Sequence, residues 1–146
     1  MQQLRSLKLI TNTTKRSFYH ELKESFLECN RYLISVAFIN SSALSILNDE
    51  LNKQGKIITT NYMNGTDPKA LEVLYANKKI KTRVYDTNVK KHGFHTKAYI
   101  FIMDEYYKIY IGSSNLSISA LKTNQEWNVQ IFSKEDPFVK EVMSAY

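Results

Sequence analysis

The sequence predicts an α/β domain: a mixed β-sheet flanked by helices on both faces. Three observations carry this. Apolar residues switch repeatedly between helical spacing and short β-branched or aromatic runs, so strands and helices interleave. One run, Tyr32 to Ile39, is almost continuously apolar, as for a strand buried on both faces. Asp104-Glu105 joins two apolar runs too tightly for a crossover, which makes that pair antiparallel.

The elements follow in order. Leu7 to Thr11 reads as a short first strand. Lys15 to Asn30 reads as an amphipathic helix, with Phe18, Leu22, Phe26 and Leu27 at helical spacing and Cys29 as a small core residue near its end. After the Tyr32 strand, Ser41 or Ser42 caps a helix through Leu44, Leu47 and Leu51 that stops before Gly55. Lys56 to Tyr62 is a strand. Asp67-Pro68 starts a helix, aspartate as cap and proline in the first turn, carrying Leu71, Leu74 and Tyr75. Ile80 to Tyr85 is a strand, followed by a basic loop at Lys90-Lys91-His92-Gly93. Strands His95–Met103 and Tyr106–Ser113 flank the turn, and a short helix starts near Asn115 with Leu116, Ala120 and Leu121. The last strand, Glu126–Ser133, alternates Trp127, Val129 and Ile131 with Glu126, Asn128 and Gln130. A final helix from Lys134 reaches Tyr146 without a breaker, which reads as a piece of a longer protein.

The 146 residues make one domain, 1–146, with ordinary globular composition (43% hydrophobic, 23% charged). No window has the apolar length of a membrane span, and the N-terminus lacks a secretory core, so a cytoplasmic protein is expected. A single cysteine and three histidines exclude a disulfide framework and argue against a Cys/His zinc cluster. The net charge of +6 favours polyanionic partners.

Polar chemistry concentrates between Gly93 and Gln130. His95 and Lys97, two apart on a strand, share a face roughly 6.5–7 Å apart, so both can reach one phosphate. Lysine supplies charge, and a histidine supplies a nucleophile or proton donor near neutral pH. Gly112-Ser113-Ser114-Asn115 ends a strand and opens a helix. It reads either as a phosphate cradle of small residues, helix amides, Ser113 and Asn115, or simply as a helix cap. Glu126 reads either as the carboxylate partner of a histidine or as an exposed strand-start glutamate.

The joint order is more specific than any part. H-x-K on one strand, G-S-x-N after the next and Glu126 eleven residues later resemble the motif of the phospholipase D superfamily. Ser35–Phe38, Thr59–Tyr62, Thr66–Leu71, Gly93–Lys97, Ile111–Leu116 and Asn124–Asn128 extend the likeness. They resemble the N-terminal phospholipase D-like domain of bacterial superfamily 2 (DEAD/DEAH-type) helicases, related to domains of some metal-independent restriction nucleases. The resemblance runs from about Leu7 to Phe132 and implies a phospholipase D-like half-fold. One position departs: the family's usual aspartate falls at Ile102, and Asp104 reads as a turn residue.

The resemblance implies a catalytic set of His95, Lys97, Ser113, Asn115 and Glu126, with His95 forming a phosphohistidine and Glu126 orienting it. Gly112, Ser114, Lys90 and Lys91 are the expected substrate-binding residues, with Lys90-Lys91 reading equally as a solvated loop, and no metal or cofactor is needed. One H-x-K supplies one histidine, whereas in-line displacement needs an acid on the far side. A homodimer sharing its active site supplies the second. His92 is too close to His95 in sequence to face it, and His20 is expected to face solvent. Nucleic acid, DNA first, is the expected substrate, with Arg83 joining the lysines along a phosphate track. Tyr62, Tyr99 and Tyr110 read either as base-stacking or core-edge residues. No membrane partner is expected. Three functions remain: a metal-independent DNA nuclease, attached in cis to a helicase or restriction system; a catalytically idle DNA-binding module that positions a helicase motor; and a dimerisation module.

Overall fold

The computed structural model describes residues 5–61, 65–90 and 92–146, with Lys90 through its backbone alone. Seven strands form one mixed sheet: β1 (Ser6–Ile10), β2 (Arg31–Val36), β3 (Gly55–Thr60), β4 (Ile80–Tyr85), β5 (Lys97–Ile102), β6 (Tyr107–Gly112) and β7 (Asn128–Ser133). Their order is β1-β7-β6-β5-β2-β3-β4. The β2-β3-β4 pairs are parallel and the others antiparallel, as the tight Asp104 turn and the helical crossovers require.

Helices α1 (Phe18–Glu28), α2 (Ser41–Ile46), α3 (Asn48–Leu51), α4 (Pro68–Ala76) and α6 (Ile118–Lys122) cover one face. Phe18, Leu22 and Phe26 recur every four residues on α1. The Phe18 ring meets Tyr99 and Tyr110 and the Phe26 ring meets Phe101 in edge-to-face aromatic contacts, and Leu22 is buried in the same core. The other face carries α7 (Pro137–Ala145), over a smaller core of Leu33, Ile100, Ile102, Ile109, Ile131 and Val139. Strand alternation divides β5 between the two: Tyr99 and Phe101 face the larger core, Ile100 and Ile102 the α7 side. Ile102 therefore sits in an apolar layer where a carboxylate would be costly to bury.

Several boundaries differ from the sequence reading. The helix expected to Leu51 breaks into α2 and α3 at Leu47, beside Asn48 and Asp49, whose side chains compete for backbone. Its cap is Asn40, which accepts from Ala43 N at 3.1 Å. Both Asp-Pro pairs start helices: Asp67 accepts from Lys69 N at 2.9 Å and Asp136 from Val139 N at 2.8 Å. Tyr75 faces solvent, and α4 buries Ala70 and Leu74. A short α5 (Thr87–Lys90) occupies the start of the expected basic loop. Tyr62 and Lys91 lie outside the described residues. Asp104 accepts from Asn30 Nδ2 at 2.7 Å, as a turn residue.

Candidate active site

The site residues converge at one edge of the sheet because four central strand ends meet there. β2 and β6 finish at this edge, and β5 and β7 begin at it. The register places Val36 beside Lys97, Ala98 beside Ile111 and Gly112 beside Asn128. It is also the carboxyl end of the parallel strands, the usual ligand side of an open α/β sheet.

His95 lies in the loop that leads into β5 rather than on the strand itself, which starts at Lys97. The loop is tied down twice. Lys97 Nζ donates to the His95 carbonyl at 3.2 Å, and the hydroxyls of Ser35 and Thr96 are 2.6 Å apart. The His95 side of the loop is exposed, and Lys97 is half-buried. A Cβ on Gly93 would lie 3.6 Å from His95 Nε2, so the imidazole rests against a residue without a side chain. His92 is exposed. His20 is exposed too, with Nδ1 accepting from Ser17 N at 3.2 Å as part of the α1 cap.

Gly112–Asn115 does not open a helix. Leu116 forms a parallel bridge with Ile39, and α6 starts at Ile118 after its own cap, Ser117. The expected helix amides are therefore absent from the cradle, and its geometry comes from side chains and strand ends. Asn115 Oδ1 accepts from Phe38 N at 3.1 Å, which leaves its Nδ2 as the outward donor. Gly112 is required by close approach. A Cβ there would lie 2.6 Å from Asn128 Cα and closer still to the Trp127 carbonyl oxygen.

Glu126 lies two residues before β7. Its Oε1 accepts from Ser113 Oγ at 2.6 Å and from Ser114 Oγ at 3.0 Å. Ser114 is fully buried, and its hydroxyl also accepts from Asn128 Nδ2 at 2.9 Å. This corrects its expected role: the Ser114 side chain faces inward and holds the carboxylate instead of a substrate. Its carbonyl oxygen accepts from Tyr99 OH at 2.8 Å. Burial, with the nearby Glu126 charge, pushes the Tyr99 phenol well up, so it remains a donor. Tyr99 and Tyr110 are both fully buried core residues, which removes them as base-stacking platforms.

Asn128 and Tyr99 are the positioning residues that sequence reasoning passed over. Asn128 had a signal, since it shares the polar phase of the last strand with Glu126. Tyr99 had none beyond its place two residues after Lys97. Of the expected phosphate track, Lys90 and Lys91 have no described side chains. Arg83 lies with Lys56, Lys81 and Tyr146 along a groove on the α7 side of β3 and β4. Among the described residues, no group of three or more His, Cys, Asp or Glu side chains is placed to hold a metal ion. No helix among them is long and apolar enough to cross a membrane.

A family model described as "Cardiolipin synthase, PLD-like domain" matches residues 7–145. No curated protein matches the sequence. Among solved structures, NucT from Helicobacter pylori superposes with a TM-score of 0.70 at 15% identity, over 97% of this chain and 93% of its own. Nuc from Salmonella typhimurium, a phospholipase D family member, gives 0.69 at 14% identity, over 97% and 91%. Yeast tyrosyl-DNA phosphodiesterase gives 0.55 at 19% identity over 88% of this chain, which spans 32% of that larger protein. With a family match over nearly its whole length and the H-x-K and G-S-x-N segments at one sheet edge, the chain belongs to the PLD-like domain family of the phospholipase D superfamily.

Proposed function

We propose that this domain is a metal-independent phosphodiesterase of the nuclease type, acting on DNA. The observation that carries the reading is that the His95–Lys97 segment, Ser113, Asn115 and Glu126 all lie at one edge of the sheet, with Ser113 bonded to Glu126. The likeness to NucT, Nuc and tyrosyl-DNA phosphodiesterase supports it.

In this reading a His95 ring nitrogen attacks phosphorus. A P–N bond forms, the P–O bond to the leaving strand breaks, and an acid on the opposite side protonates the leaving oxygen. Lys97 and Asn115 Nδ2 stabilise the non-bridging oxygens as charge builds on them. Glu126, held by Ser113 and Ser114, supports the protonated histidine. Water then attacks phosphorus and gives a proton to the far-side group, now a base, the P–N bond breaks, and the phosphate monoester leaves.

The acid on the far side is His95 of a second copy, in a homodimer whose two-fold axis passes the site. An apolar row supports this. Leu9, Val129 and Ile111 lie side by side across β1, β7 and β6, at the rim of α7, whose Phe138 lines one pocket with Val129 and Ile111, and all three are exposed with neighbouring Trp127. The row leads directly to Gly112. A helicase motor in cis is the partner implied by the sequence resemblance.

The test is cleavage of labelled single- and double-stranded DNA in EDTA, wild type beside His95→Ala. Cleavage that survives EDTA and disappears in the variant supports the reading. Cleavage abolished by EDTA overturns the metal-free mechanism. Binding without cleavage by either protein favours an idle DNA-binding module, the reading to which Ile102 in the α7 core lends weight.

A further inference from the structure

The strand ends opposite the site carry a second charged feature. A groove of about 670 Å³ runs along the start of β2, β3 and β4, and Lys56 and Lys81 continue it into a neighbouring groove with Arg83. Arg31, Lys56, Lys78, Lys79, Lys81 and Arg83 are all exposed along it. No acidic residue lines either groove. None of the six makes an ion pair among the described residues. Without these six, fourteen Lys and Arg balance fourteen Asp and Glu, so their charge alone matches the chain's net +6.

This concentration opposes folding. Lys56 and Lys81 are direct cross-strand partners on one face of the parallel β3-β4 pair. Like charges opposite one another destabilise a sheet. Lys53, which also lines the groove, has a structural use: its Nζ caps the end of α1 on the carbonyls of Phe26 and Cys29, the latter at 2.8 Å. Among the described residues, the side chains of the other six make no such bond.

We infer that this groove binds the phosphate backbone of a nucleic-acid duplex, as a second contact away from the chemistry. The inference rests on the reading of the domain as one that acts on DNA. Lysines on an open surface act as point charges and track phosphates without reading sequence. None of the large exposed apolar residues lines the groove, so it offers no side chain for insertion into lipid. Lys56, Lys81 and Arg83 lie on one face of β3 and β4, so a backbone that follows these strands from the groove at their start keeps meeting positive charge.

The experiment measures affinity for a labelled 20-base-pair duplex against salt, in the His95→Ala background so that no probe is cut. Lys56→Gln/Lys81→Gln/Arg83→Gln is compared with Lys15→Gln/Lys134→Gln/Lys140→Gln, which removes equal charge elsewhere. The expected result is at least tenfold weaker binding at low salt for the groove triple. Its slope of log affinity against log salt should fall by about 2–3, and the control should change little. Lys78→Gln/Lys79→Gln tests the far end of the groove, with an expected slope decrease of about 1–2. Thermal unfolding at or above the temperature of the His95→Ala protein guards against misfolding, since removing the opposed Lys56 and Lys81 charges relieves repulsion. Equal weakening in groove and control variants overturns the inference, as does no duplex binding at all. Groove-dependent binding to anionic vesicles without duplex binding overturns the nucleic-acid assignment. The site reading is tested separately, by hydrolysis of a small phosphodiester that is lost in His95→Ala.

Discussion

Ser113 donates its hydroxyl to Glu126 Oε1 at 2.6 Å, so the acidic end of the motif is locked to the G-S-x-N segment. The two chain segments are also joined through backbone, with Ser113 N on the Trp127 carbonyl at 3.0 Å. Trp127 N returns a bond to Ser113 Oγ at 3.1 Å. The Glu126 carboxylate is therefore fixed by the protein before any substrate arrives, as preorganised electrostatics requires.

The buried Ser114 hydroxyl is the pivot of this arrangement. Ser114→Ala strands the Asn128 amide and removes one Glu126 donor. It should cost about 1–3 kcal/mol in urea unfolding. Its activity should fall less than that of Glu126→Gln, whose kcat should drop about 100-fold or more if the carboxylate supports a charged histidine. Equal activity of Glu126→Gln and wild type would remove Glu126 from the chemistry.

Gly112→Ala should lose about 1–3 kcal/mol through overpacking, because its methyl group runs into the Trp127 carbonyl and Asn128. The strain falls on the β6-β7 end that carries Ser113 and Glu126. Activity should therefore fall in protein that remains folded at the assay temperature, as followed by circular dichroism beside turnover.

Asp136 sets a pH dependence for the docking of α7. Its carboxyl is held below the usual carboxylate range, first by the Val139 N–H and then by Arg5 and Ser133. A depressed folded pKa adds stability that is fully present above the unfolded value of about 4, and that is lost as pH falls through the lower folded value. Asp136→Ala should cost about 1–2 kcal/mol at pH 7. The gap from wild type should narrow below about pH 4, as read by thermal unfolding at pH 7, 5 and 3. A gap that widens on acidification would contradict the sign.

The apolar row beside the site predicts an oligomeric state. Leu9→Lys with Val129→Glu, opposite charges on a cross-strand pair, should turn a dimer into a monomer in sedimentation velocity, while unfolding changes little because both side chains are exposed. Turnover should fall with the dimer. A monomeric wild type with full activity would reject the shared site.

The sequence by itself determined what local periodicity and short motifs encode: the α/β alternation, the buried β2, the Asp67-Pro68 helix start and the order of His95, Lys97, Gly112–Asn115 and Glu126 that carries the family resemblance. These are legible because strand alternation, helical spacing and capping act over a few residues. Only the tertiary structure decided that Gly112–Asn115 leads into a bridge with Ile39 rather than a helix, since Leu116 finds its partner 77 residues away. It also turned Ser114 inward, buried Tyr99 and Tyr110, and set Ile102 under α7. The basic groove belongs to the same class. Arg31, Lys56, Lys81 and Arg83 are scattered in sequence, and parallel pairing of β2, β3 and β4 brings them together. Register between distant strands is fixed by how whole faces pack, and no local window carries that information.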